Sequence, residues 1–127
     1  MKLILDSSFI IDLLNNKIDA FKKSKEIEEK EIIMTTSISV FETLKRIRSE
    51  SEIKNTKDFF KGIIVLELNK NAGLIAGDIF RELLKKGKEI DSEDCMIAGI
   101  ALINNEAVLT RNVKHFKRIN GLKVETY

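Results

Sequence analysis

The sequence of 127 residues holds no proline and no tryptophan, and only one cysteine, one histidine and one tyrosine. Without proline there is no proline-rich linker, and no low-complexity segment or internal repeat interrupts the chain. A lone cysteine, Cys95, excludes an internal disulfide and fits a reducing cytoplasm. Its neighbour Asp94 disfavours a thiolate, so Cys95 reads as a small buried side chain rather than a nucleophile. With one histidine, His115, there is no set of nitrogen and sulfur ligands for zinc. No apolar run approaches membrane-spanning length, and the first one is too short for a signal peptide. Charge of one sign is also lacking. The formal net charge of +2 is too small to imply nucleic-acid binding by itself.

What remains is an ordinary globular composition, 43% hydrophobic and 33% charged, long enough for one domain over residues 1–127. Strands and helices alternate. Lys2-Leu3-Ile4-Leu5 reads as a first strand, followed by helical patterns over about 8–15 and 17–30. A second strand covers about 31–35, and Ser37 is placed to cap a helix over about 38–49. In that helix Ile38, Phe41 and Leu44 recur at helical spacing and are expected on the core side. A short helix follows near 53–61, then a strand over 63–68. Asn69 or Asn71 opens a helix to about Lys86 that stops at Gly87. Asp91 or Ser92 caps the next, which ends near Asn104-Asn105. Ala107–Thr110 and about 122–125 are the last strands. Short, nearly all-apolar strands separated by helices predict an α/β fold of three layers, a parallel sheet with helices on both faces.

Asp6 follows the first strand and precedes a helix, and ligands in open parallel sheets bind at that carboxyl edge. Glu42, four positions after Ile38, lies in the first turns of the helix that follows the second strand. Asp91 and Asp94 open a later helix whose remainder is almost wholly apolar. Asp91 has two readings, a helix cap favoured by the macrodipole or a further metal ligand. Asp94 is expected to be partly buried. Thr110 and Asn112 end the fourth strand as Asp6 ends the first, with Asn112 also readable as a turn residue. Crowded carboxylates at one edge are costly unless a cation neutralises them. Hard oxygen donors without a histidine or cysteine set select Mg²⁺ or Mn²⁺, ions suited to phosphoryl chemistry. Basic residues Lys45, Arg46 and Arg48, and Arg111, Lys114, Lys117 and Arg118, form two short clusters, which are commonly solvated surface. Of these, Arg111, Lys45, Arg46 and Lys114 are candidates to hold a nucleic-acid backbone.

Four stretches in this order carry a family likeness: Leu3-Ile4-Leu5-Asp6-Ser7-Ser8-Phe9-Ile10-Ile11-Asp12-Leu13-Leu14, Thr36-Ser37-Ile38-Ser39-Val40-Phe41-Glu42, Asp94-Cys95-Met96-Ile97-Ala98-Gly99-Ile100-Ala101, and Leu109-Thr110-Arg111-Asn112-Val113-Lys114-His115-Phe116. Together they resemble a PIN domain, specifically the VapC-type toxin ribonucleases of prokaryotic toxin–antitoxin systems. The resemblance puts the family's metal-holding acids on Asp6, Glu42 and Asp94, and its small polar residue on Ser8, a partner of the Asp6 carboxylate or of metal-bound water. Members often carry a further acid where this chain has Asn112, so a second metal site is in question, with Asp91 as a substitute. The likeness implies a five-stranded parallel sheet, a homodimer, Mg²⁺- or Mn²⁺-dependent cleavage of RNA, and a VapB-type antitoxin that blocks the acidic pocket. Glu42 is the first choice for taking a proton from the attacking water. Two other classes fit parts of the pattern. A phosphoacceptor receiver domain also places acids and Mg²⁺ at this edge, but it calls for adjacent acids where Ser7-Ser8 follow Asp6. A catalytically silent PIN-like binding module would account for Asn112.

Overall fold

Leu3, Ile4 and Leu5 point alternately to opposite faces of the sheet, and all three are buried. The strand β1 (Lys2–Leu5) therefore has no solvent face and must lie between two helical layers. The computed structural model, which describes residues 2–127, has this arrangement. The strands are β1, β2 (Ile32–Thr36), β3 (Ile64–Leu66), β4 (Ala107–Leu109) and β5 (Val124–Glu125), in the order β3-β2-β1-β4-β5 with every pairing parallel. Leu3 stands level with Ile33 on one side and Ala107 on the other.

The period of two along β1 sorts the core into two halves. Ile4, Met34 and Val108 face α5 (Lys70–Lys85), α6 (Ser92–Asn104) and the short α7 (Val113–Phe116), and pack with Leu83, Ile97, Ala98 and Phe116. Leu3, Leu5, Ala107 and Leu109 face α1 (Ser7–Leu14) and α2 (Ile18–Glu28), and pack with Phe9, Ile10, Ala20 and Ile27. Phe59 and Phe60 of α4 (Glu50–Lys61) close that side. Helices thus cover both faces, the expected three-layer α/β fold. No helix among the described residues is long and apolar enough to cross a membrane.

Several local expectations are corrected. The helix read over 38–49 is α3, Ser37–Leu44, and it is capped by Thr36, whose Oγ1 accepts from the Ser39 N–H at 3.1 Å. Ser37 instead accepts the Leu68 N–H from the strand-three side, at 3.3 Å. The helix ends early because Ser49 caps a new one. Its Oγ accepts from the Glu52 N–H at 3.1 Å, and Glu50 and Glu52 fill a first turn where the helix dipole favours acids. Helix α4 accordingly starts at Glu50 rather than near 53. Phe41, expected on the core side, is 60% exposed, with the Lys45 ammonium 5.4 Å from its ring centroid. The buried face of α3 consists of Ser39 and Thr43, and Thr43 satisfies its hydroxyl on the Ser39 carbonyl at 2.7 Å. Ile38 packs against the core as expected, whereas Phe41 does not, because the fully buried positions of α3 are two small hydroxyl residues. Helix α7, four residues long, had no sequence signal.

Candidate metal-binding acid pocket

The chain runs β1 to β2 to β3 outward, then returns to lay β4 on the other side of β1. The order reverses between β1 and β4, and loops leaving those two strands diverge in opposite directions, which opens a crevice at their carboxyl ends. The Asp6 N–H still bonds the Leu109 carbonyl at 3.0 Å, so the crevice begins one residue beyond the ladder.

Asp6 occupies the N-cap position of α1, yet its side chain makes no cap hydrogen bond. It is 1% exposed. Its Oδ2 accepts from Thr110 Oγ1 at 2.7 Å and from Ser8 Oγ at 2.9 Å. Those hydroxyls are themselves held by the loop after β4. Ser8 Oγ accepts the Arg111 N–H at 3.1 Å, and Thr110 Oγ1 accepts the Asn112 N–H at 2.9 Å. Two backbone N–H groups thus orient two hydroxyls, and both hydroxyls orient one carboxylate oxygen. The other oxygen, Oδ1, is buried and has no hydrogen-bond partner among the described residues. A buried carboxylate oxygen left without a donor is costly, and a bound cation is the group that would satisfy it.

Glu42 on α3 and Asp94 in the first turn of α6 stand across the crevice. Ser7 Oγ donates to Glu42 Oε1 at 3.2 Å, and His115 Nδ1 lies 3.4 Å from Asp94 Oδ2. Asp94 is 6% exposed. The three carboxylates influence one another. Burial pushes Asp6 above the usual carboxylate range, against the hydrogen bonds from Thr110 and Ser8 that favour its charged form. Glu42 is raised by burial and then by the Asp6 charge, with Lys45 opposing. Asp94 is raised to about 7, by burial first and the Asp6 charge second, while the His115 contact opposes. Among the described residues no three histidine, cysteine, aspartate or glutamate side chains are grouped closely enough to hold a metal ion together. An open set of this kind suits a hard cation that keeps several of its waters and takes only one or two carboxylates directly.

These shifts have a measurable consequence. Asp94 binds its proton more tightly in the fold than in the unfolded chain, where its pKa is near 3.8. With divalent ions removed, the contribution of Asp94 to stability should therefore be fully present below about pH 4 and be lost as pH rises toward about 7. Asp94→Asn should flatten that slope in melting curves taken across this range, and an unchanged slope would show that the charge is not penalised.

The cleft above these acids has a volume of about 270 Å³ and is lined by Glu42, Asp94, Ser7 and Ser8 together with Asp91, Asn112, Arg46, Asp12 and Arg111. Asp91 holds the N-cap position of α6 without a side-chain cap bond, so the capping reading does not describe its carboxylate. Asn112 likewise makes no cap bond at α7 and is exposed at the rim. Lys45 is exposed beside Phe41, and Lys114 is exposed on α7 and does not line the cleft. Arg111 is not free: it pairs with Asp12, 2.7 Å away. Sequence reading passed over Asp12, Ser7 and Tyr127. Asp12 follows Ser8 by four residues and so shares its helix face, a spacing that flags it. Tyr127 reaches the site only through the fold, since no local pattern connects it to residues near Asp12.

The model of the PIN domain family matches residues 3–122. The chain belongs to the PIN-domain family. Within it, VapC proteins are the relatives: ribonuclease VapC19 of Mycobacterium tuberculosis is 31% identical, with 97% of this chain and 98% of that protein covered. The tRNA(fMet)-specific endonuclease VapC of Salmonella typhimurium is 27% identical, covering 100% and 98%. Among solved structures, VapBC-1 from nontypeable Haemophilus influenzae superposes with a TM-score of 0.84 at 27% identity, covering 99% and 98%. The DNA-bound VapBC2 of Rickettsia felis, at 22% identity and a TM-score of 0.86, shares the fold of this PIN domain over 100% of the chain and 99% of its own.

Proposed function

We propose that the chain is a divalent-metal-dependent endoribonuclease, the toxin half of a VapBC-type module that works in the cytoplasm with a VapB-type antitoxin. The carrying observation is that Glu42 and Asp94 line one crevice and both feel the charge of Asp6, whose Oδ1 is buried without a hydrogen-bond partner among the described residues. Kinship with named VapC ribonucleases and solved VapBC assemblies supports the substrate and the partner.

Asp6 and Asp94 would hold Mg²⁺ or Mn²⁺ directly or through water, with Glu42 completing the set. When bound, the ion supplies Lewis acidity toward a phosphodiester and makes a water acidic enough to attack at neutral pH. The protein's own groups do the rest. Thr110 and Ser8 fix the rotamer of Asp6 and leave Oδ1 without a hydrogen-bond partner among the described residues. Glu42, its pKa raised and its Oε1 held by Ser7, is placed to take a proton from the nucleophile. Arg46 and Arg111 on the walls offer cationic contacts to an RNA backbone that would otherwise meet only acids. Lys45 and Lys114 lie further out and would act through charge alone. A homodimer is part of the same reading.

The purified chain should cleave single-stranded RNA in Mg²⁺ or Mn²⁺, and EDTA should stop it. Cleavage that continues unchanged in EDTA would overturn the metal-dependent reading. Failure to cleave any RNA, with no calorimetric binding of either ion, would favour a silent binding module instead.

A further inference from the structure

One wall of the cleft is built by residues outside the acid set. Arg111 Nη2 lies 2.7 Å from Asp12 Oδ2 and 3.6 Å from Asp19 Oδ2. Its guanidinium carbon stands 5.5 Å from the centroid of the Tyr127 ring. The Tyr127 hydroxyl donates to the same Asp12 oxygen, and its ring packs edge-on against the fully buried Phe9, centroids 4.9 Å apart. The Asp12 side chain is only 12% exposed, whereas that of Arg111 is 52% exposed. The backbone of Arg111 is fixed as well, through its N–H bond to Ser8, the residue that donates to Asp6.

A nearly buried carboxylate needs compensation, and Arg111 and Tyr127 provide it for Asp12. The same contacts act in reverse on Arg111. A long, half-exposed side chain ordinarily samples many rotamers; here two ion pairs and one aromatic face confine it. Both ion pairs use Nη2. A guanidinium carries five N–H donors in a rigid fork, so its other edge stays available to an anion. Arg111 and Asp12 line the same cleft as Glu42 and Asp94. Because Asp12 and Asp19 offset its charge, Arg111 cannot act as a long-range attractant, and its contribution must be directional. A planar fork matches a phosphate with two parallel hydrogen bonds, and holding it in place beforehand lowers the entropy lost on binding.

We infer that Asp12 and Tyr127 are positioning residues that hold Arg111 as a preset clamp for an RNA phosphate beside the acid pocket. The inference rests on the ribonuclease reading for its ligand, but its test reads binding and not turnover. Affinity for a short fluorescent single-stranded RNA is measured in an Asp6→Asn background, in which cleavage is expected to be too slow to consume the probe. Tyr127→Phe keeps the ring on Phe9 and removes the hydroxyl, and should weaken binding by about threefold to tenfold. Arg111→Ala should weaken it by roughly tenfold or more. In the double variant, Tyr127→Phe should add nothing to the loss from Arg111→Ala, and Arg111→Lys should not restore affinity. A tyrosine with only a structural role would lower the melting temperature, and the two losses would multiply. Unchanged affinity in Tyr127→Phe, multiplying losses, or no RNA binding by the background protein would each overturn the inference. Should Tyr127→Phe not fold, Asp12→Asn carries the same cycle. Cleavage by the native chain is scored separately, so loss of the clamp and loss of the ribonuclease reading give different results.

Discussion

Asp6→Asn is expected to lower RNA cleavage by on the order of 10³-fold while leaving the metal-free protein as stable as the native chain, or more so. The two halves of this result come from one feature. The Asp6 carboxyl is 1% exposed and its pKa is raised by that burial. Its ionised form therefore works against the fold, and stability is lost as pH rises above the unfolded value of 3.8. A neutral amide of the same shape removes that penalty and can still accept from Thr110 and Ser8 at one oxygen. The new NH₂ takes the place of Oδ1, which had no partner to lose. What disappears is the anion that would hold the cation. Cleavage and thermal melts in EDTA and in Mg²⁺ check both halves. Native-like cleavage by the variant would exclude Asp6 from the chemistry. A melting temperature well below native in EDTA would mean that the carboxylate supports the fold by itself. Mg²⁺ should raise the melting temperature of the native protein and not that of the variant, since a ligand bound only by the folded state stabilises it by mass action.

Gly99→Ala is expected to destabilise the fold by about 2–3 kcal/mol and lower the melting temperature by on the order of 10 °C, without touching the acids. A methyl added at Gly99 would stand 2.5 Å from the Ala72 carbonyl oxygen and 3.1–3.2 Å from the backbone nitrogen and Cβ of Ala76. Two of these three atoms are backbone of α5, so no side-chain rotation relieves the clash and the helices must separate. Ala72, Ala76, Ala98 and Ala101 are all buried around that contact, and parting the helices would open voids among them. In an isolated helix the same change is stabilising by nearly 1 kcal/mol, so the sign of the measured effect distinguishes packing from propensity. Chemical denaturation is the direct measurement, and a Gly99→Ala protein as stable as native would mean that α5 and α6 are not in backbone contact. Residual activity per folded molecule should stay near native, which separates this variant from Asp6→Asn.

How far the amino-acid sequence carried differs between strands and helices. The strands were readable because β1 and β4 are apolar at every inward position and end in polar residues, Asp6 and Thr110. The expectation that Asp6, Glu42 and Asp94 share one edge followed from that, because Asp6 directly follows β1, Asp94 lies in the first turn of α6, and Glu42 lies within the short helix that follows β2. The inner face of α3 was not readable, since Ser39 and Thr43 are polar by type and are buried with their hydroxyls bonded locally, Ser39 to the Thr36 hydroxyl and Thr43 to the Ser39 carbonyl. The break between α3 and α4 was expected but placed too late, after 49 instead of after Leu44, for a related reason. A serine cap competes with helix continuation by a margin too small to see in periodicity. The Asp12–Arg111–Tyr127 group needs three distant segments to meet, so only the fold brings it together. Arg111 itself was visible as a basic residue near the edge, but its partners were not.

The hydrogen bond from Thr110 to Asp6 joins residues 104 positions apart. A chain that emerges from synthesis in order will already contain Asp6, Glu42 and Asp94 while β4 has yet to form. At that stage β1 lacks one of its two neighbours and Asp6 lacks both the Thr110 hydroxyl and the Arg111 N–H that anchors Ser8. A partial chain ending before residue 107 therefore holds all three acids but no finished pocket. The pocket is complete only once the fourth strand docks beside β1 and brings Thr110 and Arg111 to Asp6 and Ser8.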